Sequence, residues 1–244
     1  MPYGYDKIVN YYRCACSCLF RNQTDEFPDT DKPIRDRKQR YSYEYLVHVY
    51  FPLIEELTFG RKMLEIGYRW PFIMRIAKDR GWIVTGIEKS PKKKKENGIE
   101  LIHDDFMNYN FGVRKFDLIW MNHVIEHIKD WYKCLMKIHE LLRPEGIVFI
   151  SSPDANLLDE YGMDDFLWGD ASHRIIFSSD KFKSEMERFA FNTIMIRSNK
   201  SQRFPGHCDF HGIWQKSYYD EPYIGGYDKG IDFGDMFKKV QEKK

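Results

Sequence analysis

Short apolar runs alternate with helical patterns through the middle of the chain. Lys62 to Ile66 is an apolar run that ends before a glycine, which is typical of a buried strand. Further runs of this kind, and helical stretches with a 3.6-residue apolar period, follow it. The predicted strands are Trp82 to Ile87, Ile99 to His103, Phe116 to Met121 and Ile147 to Ile150, and the predicted helices are Pro71 to Arg80 and Asp130 to Leu142. This alternation predicts an α/β fold with a doubly wound, mostly parallel Rossmann-like sheet and helices on both faces.

The flanking segments extend this prediction. A helical stretch near Asp180 to Arg188 and two strands near Phe191 to Ile196 and Gly212 to Gln215 bring the expected sheet to seven strands. Tyr41 to Gly60 has a helical pattern, in which Pro52 is expected to start a second helix. We predict an N-terminal extension over 1–40 that packs on or caps the main domain, a domain over 41–215 and a tail over 216–244. Residues Arg143 to Gly146 are expected to form a turn.

Charge and composition narrow the classes of function. The chain has 38 Lys and Arg against 37 Asp and Glu, so no global basic field favours binding to nucleic acid. The Lys92–Lys95 run is interpreted as a solvated loop, with contact to phosphate or a membrane as the alternative. No apolar run approaches the roughly 20 residues of a membrane span, and the N-terminus lacks the apolar core of a signal peptide, so we expect a cytoplasmic protein. The odd number of cysteines, five, then favours reduced thiols.

Polar residues follow four successive predicted strands. In an open α/β sheet, ligands bind beyond the carboxyl ends of the strands. Glu88 comes 21 residues after Gly67, the spacing at which an acid typically binds ribose hydroxyls. The other residues at these strand ends are Glu65 and Gly67, Asp104-Asp105-Phe106, and Asn122-His123. The pattern therefore predicts a nucleoside-containing ligand at this edge.

Several segments in the right order resemble the class I S-adenosylmethionine-dependent methyltransferases, especially the small-molecule and sugar-modifying branch. They are MLEIG (63–67), VTGIEKS (84–90), LIHDDF (101–106), FDLIWMNHVIEHIKD (116–130), LLRPEGIVFISSP (141–153) and HRIIFSSDKFKSEMERFAF (173–191). The resemblance implies S-adenosylmethionine as cofactor. It places Glu65, Gly67 and Asn122 near the methionine part, Glu88 at the ribose, and Asp105 and Phe106 at the adenine. Tyr68 and Lys89, beside these residues, are also expected to bind the cofactor.

The implied activity is methyl transfer to a small-molecule, sugar or lipid-precursor acceptor by in-line displacement. A hydroxyl acceptor needs a base, for which His123 is the first candidate and His173 the second, with a pH–rate limb expected near 6.5. The family's Gly-x-Gly-x-Gly loop is altered here to Gly67-Tyr68-Arg69-Trp70-Pro71. This departure supports an alternative, a catalytically inactive binding or regulatory protein on the same fold.

Two residue patterns raise the question of a metal, although none is expected. His123-x-x-Glu126-His127 matches a zinc peptidase signature but follows a strand, so structural pairing of Glu126 with His127 is favoured. A divalent metal at His123, Glu126 and His127 stays open, through the resemblance to ubiquinone-pathway O-methyltransferases. Free thiols and loop histidines are also favoured over a zinc site built from Cys14-x-Cys16-x-Cys18 and His207-Cys208-x-x-His211.

Overall fold

The computed structural model describes residues 11–13, 18–21, 36–90, 95–157, 172–200, 208–218 and 221–222. Ten strands lie in these ranges. They are β1 (Tyr11–Arg13), β2 (Leu19–Arg21), β3 (Lys62–Ile66), β4 (Ile83–Ile87), β5 (Glu100–Ile102), β6 (Phe116–Asn122), β7 (Leu142–Pro153), β8 (Ile175–Ile176), β9 (Phe191–Lys200) and β10 (Cys208–Lys216). The α-helices are α1 (Asp36–Leu57), α2 (Phe72–Asp79), α3 (Trp131–Leu141) and α4 (Ser179–Arg188).

Seven strands form one sheet in the order β5-β4-β3-β6-β7-β10-β9. The strands β3 to β7 pair in parallel, whereas β10 is antiparallel to both β7 and β9. The order reverses between β3 and β6, and this switch point is where ligands bind in doubly wound sheets. The predicted seven-stranded, mostly parallel fold is confirmed.

Alternate residues of the central strands feed two cores, one on each face of the sheet. On one face, α1 and α2 pack on residues such as Met63, Leu118 and Trp120. On the other, α3 and α4 pack on residues such as Leu64 and Ile119. Both faces are therefore covered by helices, as the near-continuous apolar strands require.

Two local predictions are wrong. Pro52 lies inside α1, a single helix from Asp36 to Leu57, rather than at the start of a second helix. Phe51 and Ile54, on either side of Pro52, are fully buried. The helix tolerates Pro52 in its interior because this packing outweighs the one backbone hydrogen bond that proline cannot donate. Residues Arg143 to Gly146 belong to β7 instead of forming a separate turn: Phe116 pairs with Leu142 but Leu118 with Ile147, so they bulge out of the ladder.

A second, three-stranded sheet joins part of the N-terminal region to the main fold. In it, β1 pairs with β2, and β2 pairs with β8, all antiparallel. The helix α1 begins at Asp36, ahead of the predicted domain start at residue 41. The domain boundaries themselves stay predictions.

Candidate cofactor and acceptor site

The carboxyl ends of β3, β4 and β5 are tied together by backbone hydrogen bonds. The N–H of Gly67 donates to the Ile87 carbonyl over 2.8 Å, and the N–H of Glu88 donates to the Ile102 carbonyl over 3.1 Å. The predicted residues after these strands therefore share one edge of the sheet. This edge lies next to the switch point between β3 and β6.

Glu65 is a buried carboxyl beneath this edge. It is 5% exposed, and its Oε2 atom has no hydrogen-bond partner. Burial raises the pKa of Glu65 to about 8, although a hydrogen bond from the Met74 backbone opposes the shift. Glu65 is therefore mostly protonated at neutral pH, and a nearby cation would favour its charged form.

Tyr68 follows Gly67 in the altered loop and is buried. Its side chain is 1% exposed, and its hydroxyl has no hydrogen-bond partner. Burial, together with the carboxylates of Glu88 and Glu65, raises the pKa of Tyr68 to about 12. The ring passes close to Gly86 of β4, where an added Cβ would lie 2.7 Å from Tyr68 Cδ1. Tyr68 thus brings an unsatisfied hydroxyl close enough to Glu65 and Glu88 for their charges to raise its pKa.

The loop after β3 retains one glycine that the geometry requires. Gly67 has φ +79°, and an added Cβ would lie 2.2 Å from Cγ2 of Val124. Arg69 is half-buried, Trp70 stacks on Phe72, and Pro71 is the N-cap of α2. Pro71 therefore precedes the helix that it was predicted to begin.

The ends of β4 and β5 carry the residues implied for ribose and adenine. Glu88 is half-buried, and its Oε1 accepts a hydrogen bond of 2.8 Å from the Ser90 backbone. Lys89 beside it is exposed. Asp105 Oδ1 accepts a hydrogen bond of 2.8 Å from the Met107 N–H, and Phe106 is 6% exposed. Asp104, interpreted as a turn acid, is exposed and accepts from the Asp105 N–H.

Asn122 and His123 end the neighbouring strand, β6. Asn122 Oδ1 accepts a hydrogen bond from the Ser151 hydroxyl. His123 has φ +53°, and its side chain is 32% exposed. Its Nδ1 lies 3.1 Å from Glu126 Oε1, and its Nε2 lies 3.3 Å from Asp209 Oδ2. The ring is therefore held between two carboxylates.

These two carboxylates decide the protonation state of His123. Burial alone would lower the pKa, but Asp209 and Glu126 outweigh it and raise the pKa well above 6.5. The expected titration near 6.5 is therefore wrong. The carboxylates therefore favour the imidazolium form, which donates from both nitrogens and accepts no proton.

Glu126, His127 and His173 form a second group, here called the Glu126 cluster. One ligand-type atom from each lies within 4.8 Å of the others. Glu126 is fully buried, and although burial raises its pKa, the facing histidines His123, His127 and His173 give a net lowering. Glu126 contacts His123 and Ser152 directly, and His127, its predicted partner, lies within 4.8 Å.

The two histidines of the Glu126 cluster make contacts of their own. His127 Nδ1 lies 3.0 Å from the Ser172 hydroxyl. His173 is 3% exposed, its Nε2 lies 4.0 Å from Glu126 Oε1, and its ring meets His127 edge-on at 4.7 Å. Three atoms in this arrangement could hold a cation, with His173 rather than His123 as the third group.

Other predicted candidates lie elsewhere or outside the described residues. Cys18 is a buried free thiol 4.0 Å from the Ser178 hydroxyl, and its pKa is raised by burial. His211 is buried, with Nδ1 2.9 Å from the Tyr50 hydroxyl. Cys14, Cys16, His207 and residues 92–94 of the lysine run are not among the described residues.

Sequence reasoning missed Asp209 and Lys137. Asp209 reaches His123 because β10 pairs with β7, which sets Asp209 opposite Pro153. Lys137 donates three hydrogen bonds to carbonyls of the turn after β5. Asp209 follows a cysteine in an irregular polar stretch, and Lys137 lies on the helix α3 like any solvated lysine, so neither carried a signal.

The comparison with known families agrees with this architecture. A family described as "Methyltransferase domain" matches residues 35–196. The chain belongs to the methyltransferase domain family. The resemblance stated from the sequence is thereby confirmed.

Curated relatives of this methyltransferase-domain protein align over part of their length. It is 26% identical over 113 residues to a ubiquinone biosynthesis O-methyltransferase of Haemophilus ducreyi, covering 41% of this chain and 48% of the relative. It is 30% identical over 115 residues to an uncharacterized methyltransferase of Oceanobacillus iheyensis, covering 43% and 54%. The chain thus spans about half the length of the curated relatives it matches.

Solved structures share the fold at lower identity. The N-methyltransferase NodS of Bradyrhizobium japonicum matches with a TM-score of 0.55 and 14% identity, covering 72% of this chain and 97% of that one. A putative methyltransferase of Haloferax volcanii, solved with the activator Trm112, matches with a TM-score of 0.57 and 12% identity, covering 73% and 94%. NodS has also been solved with S-adenosyl-L-homocysteine. None of the helices in the described residues combines the length and the hydropathy of a membrane-spanning segment.

Proposed function

We propose that this protein transfers a methyl group from S-adenosylmethionine to a hydroxyl acceptor on a small molecule, sugar or lipid precursor. The observation that carries the proposal is the set of polar groups at the carboxyl ends of β3 to β6. Family membership supports methyl transfer, and the curated relatives named as O-methyltransferases support oxygen as the acceptor atom.

The residues present fit this cofactor in charge and in hydrogen bonding. Glu65 has a buried, unpartnered Oε2, and Tyr68 has a buried, unpartnered hydroxyl, so both lack a group that a ligand could supply. Because the pKa of Glu65 is raised by burial, a cationic ligand gains by restoring its charge. Glu65 and Asn122 would hold the amino group of the cofactor, Glu88 the ribose, and Asp105 the adenine.

The cofactor, when bound, supplies an electrophilic methyl group on sulfur. The protein's contribution is to bring the acceptor oxygen into line with it and to exclude water. The protonated carboxyl of Glu65 and the hydroxyl of Tyr68, both buried, can supply hydrogen bonds to the cofactor.

We propose His123 as the base that takes the acceptor's proton. The ring can accept only when neutral, and the Asp209 and Glu126 carboxylates favour its charged form. The rate should therefore rise with pH over a range above 6.5. His173, the second candidate, is proposed to hold Glu126, since it is buried against that carboxylate.

The altered loop favours one other function, a catalytically inactive binding protein. The test is a screen that measures S-adenosylhomocysteine released from S-adenosylmethionine with panels of sugars, small acids and lipid precursors. We expect acceptor-dependent release, reduced about 10²–10⁴-fold by His123→Ala. Binding of the cofactor without release for any acceptor would instead support the inactive protein.

A further inference from the structure

The turn that follows β5 is closed by a side chain from outside it. The N–H groups of Asn108 and Tyr109 donate to the Asp105 carbonyl, over 3.0 and 2.9 Å. Lys137 Nζ of α3 then donates to the carbonyls of Phe106, Met107 and Tyr109, over 2.6, 3.2 and 2.7 Å. One ammonium group therefore satisfies three carbonyls of this turn.

Lys137 is held in this position by its surroundings. Its ammonium lies 5.0 Å from the ring centroid of Phe106 and 5.7 Å from that of Phe111. Burial lowers the pKa of Lys137, and nearby groups that include the Asp105 carboxylate oppose the shift. The three hydrogen bonds from a charged donor are each stronger than bonds between neutral groups.

The peptide unit between Phe106 and Met107 connects Lys137 to the Asp105 carboxylate. Its carbonyl accepts from Lys137, and its N–H donates to Asp105 Oδ1 over 2.8 Å. Both ends of one rigid plane are thus fixed. If the carbonyl loses its donor, the plane can rotate, and the Asp105 carboxylate loses the bond that orients it.

We propose that Lys137 is a positioning residue that fixes the Asp105–Tyr109 turn for recognition of the adenine amino group. The inference rests on the proposed function, since it assumes that Asp105 faces the adenine of the cofactor. Lys137 itself touches no part of the cofactor in this role. It sets the orientation of the carboxylate that does.

The test compares two ligands that differ at the adenine amino group. S-adenosylhomocysteine carries this amino donor, whereas S-inosylhomocysteine carries a carbonyl acceptor in its place. Wild type should bind S-adenosylhomocysteine at least about tenfold more tightly than S-inosylhomocysteine, because the carbonyl of the second ligand cannot donate to the Asp105 carboxylate and leaves it unpaired. In Lys137→Met, the ratio of the two affinities should fall to within about threefold of unity. Lys137→Arg, which keeps a charged multiple donor, should restore part of the ratio.

Lys216 provides a matched control. Its ammonium also donates to two backbone carbonyls, those of His139 and Leu142, over 2.8 and 3.3 Å. Lys216→Met removes a similar contact, at the C-terminal end of α3 and away from the Asp105 turn, so it should change the melting temperature without changing the ratio. If Lys137→Met does not fold, Lys137→Gln gives the same comparison, with a reduced ratio expected.

Each other outcome contradicts the inference in a distinct way. Equal loss of both affinities in Lys137→Met, with the ratio kept, would assign the lysine to general stability. Equal binding of the two ligands by wild type would show that Asp105 does not recognise the adenine amino group, but it would not contradict the proposed methyl transfer. Failure of wild type to bind either ligand would overturn both the inference and the proposed function.

Discussion

Replacing Glu65 with glutamine should change how the stability of the protein depends on pH. The pKa of Glu65 is about 8 in the fold, against 4.5 for an ordinary glutamate. Between these values the folded state binds a proton that the unfolded state does not, so wild type loses stability as pH rises. The slope is about 1.4 kcal/mol per pH unit for one group. Glu65→Gln removes this slope because the amide does not titrate.

The measurement is urea unfolding of both proteins at several pH values from 5 to 7.5. Between pH 5 and 7.5, the free energy of unfolding of Glu65→Gln should rise by about 3 kcal/mol relative to that of wild type, at about 1.4 kcal/mol per pH unit. Other titrating groups, such as the buried His139 with its pKa lowered to about 4, contribute to both proteins and cancel in the difference. Glu140→Gln alters an exposed glutamate on α3 and serves as the control. A constant difference between the two proteins across this pH range would refute the argument.

Three further changes test separate parts of the site. Asp209→Asn should lower the pKa of His123, because it removes one of the two carboxylates that contact the ring. An NMR titration that gives His123 the same pKa in the variant as in wild type would disprove this. Gly67→Ala should lower the free energy of unfolding in urea by roughly 2–5 kcal/mol, through backbone strain and a clash with Val124. Gly112, which has φ +61° and open space around it, provides the control: Gly112→Ala should lower it by only about 1–2 kcal/mol. A chelator should leave the melting temperature unchanged, because Glu126 already contacts His123 and Ser152 within the protein. If chelation removed a stoichiometric metal and unfolded the protein, the Glu126 cluster would instead be a structural metal centre.

The central strands and helices could be predicted because their pattern is local. Each predicted element from β3 to α3 lies within a few residues of the observed one, since apolar periodicity and flanking glycines mark its ends. The residues after β3 to β6 then follow from parallel topology alone. Their meeting at one edge needed no side-chain detail.

What was missed depends on contacts between distant segments. The insertion of β10 between β7 and β9 brings Asp209 to His123, and no local signal reports that pairing. The raised pKa of His123 follows from this contact, so the intrinsic value gave the wrong expectation. Pro52 shows the same limit, because packing of α1 on the sheet outweighs a local helix-breaking preference.

The altered loop illustrates a different limit. The sequence shows that glycines are missing after Gly67, but it does not show where the larger side chains go. The structure places Tyr68 in the core beside two carboxyl groups and leaves Gly67 with the positive φ that it needs. The sequence alone therefore could not show that an unsatisfied hydroxyl lies near these acids.

The proposed use of this edge for S-adenosylmethionine is tested most directly by calorimetric titration with S-adenosylhomocysteine. Wild type should bind, and Glu88→Ala should weaken binding by about 1.5–3 kcal/mol, the contribution of a hydrogen bond to a charged group. Circular dichroism checks that the variant is folded. Binding by wild type that Glu88→Ala leaves unchanged, or no binding by wild type at all, would contradict the account.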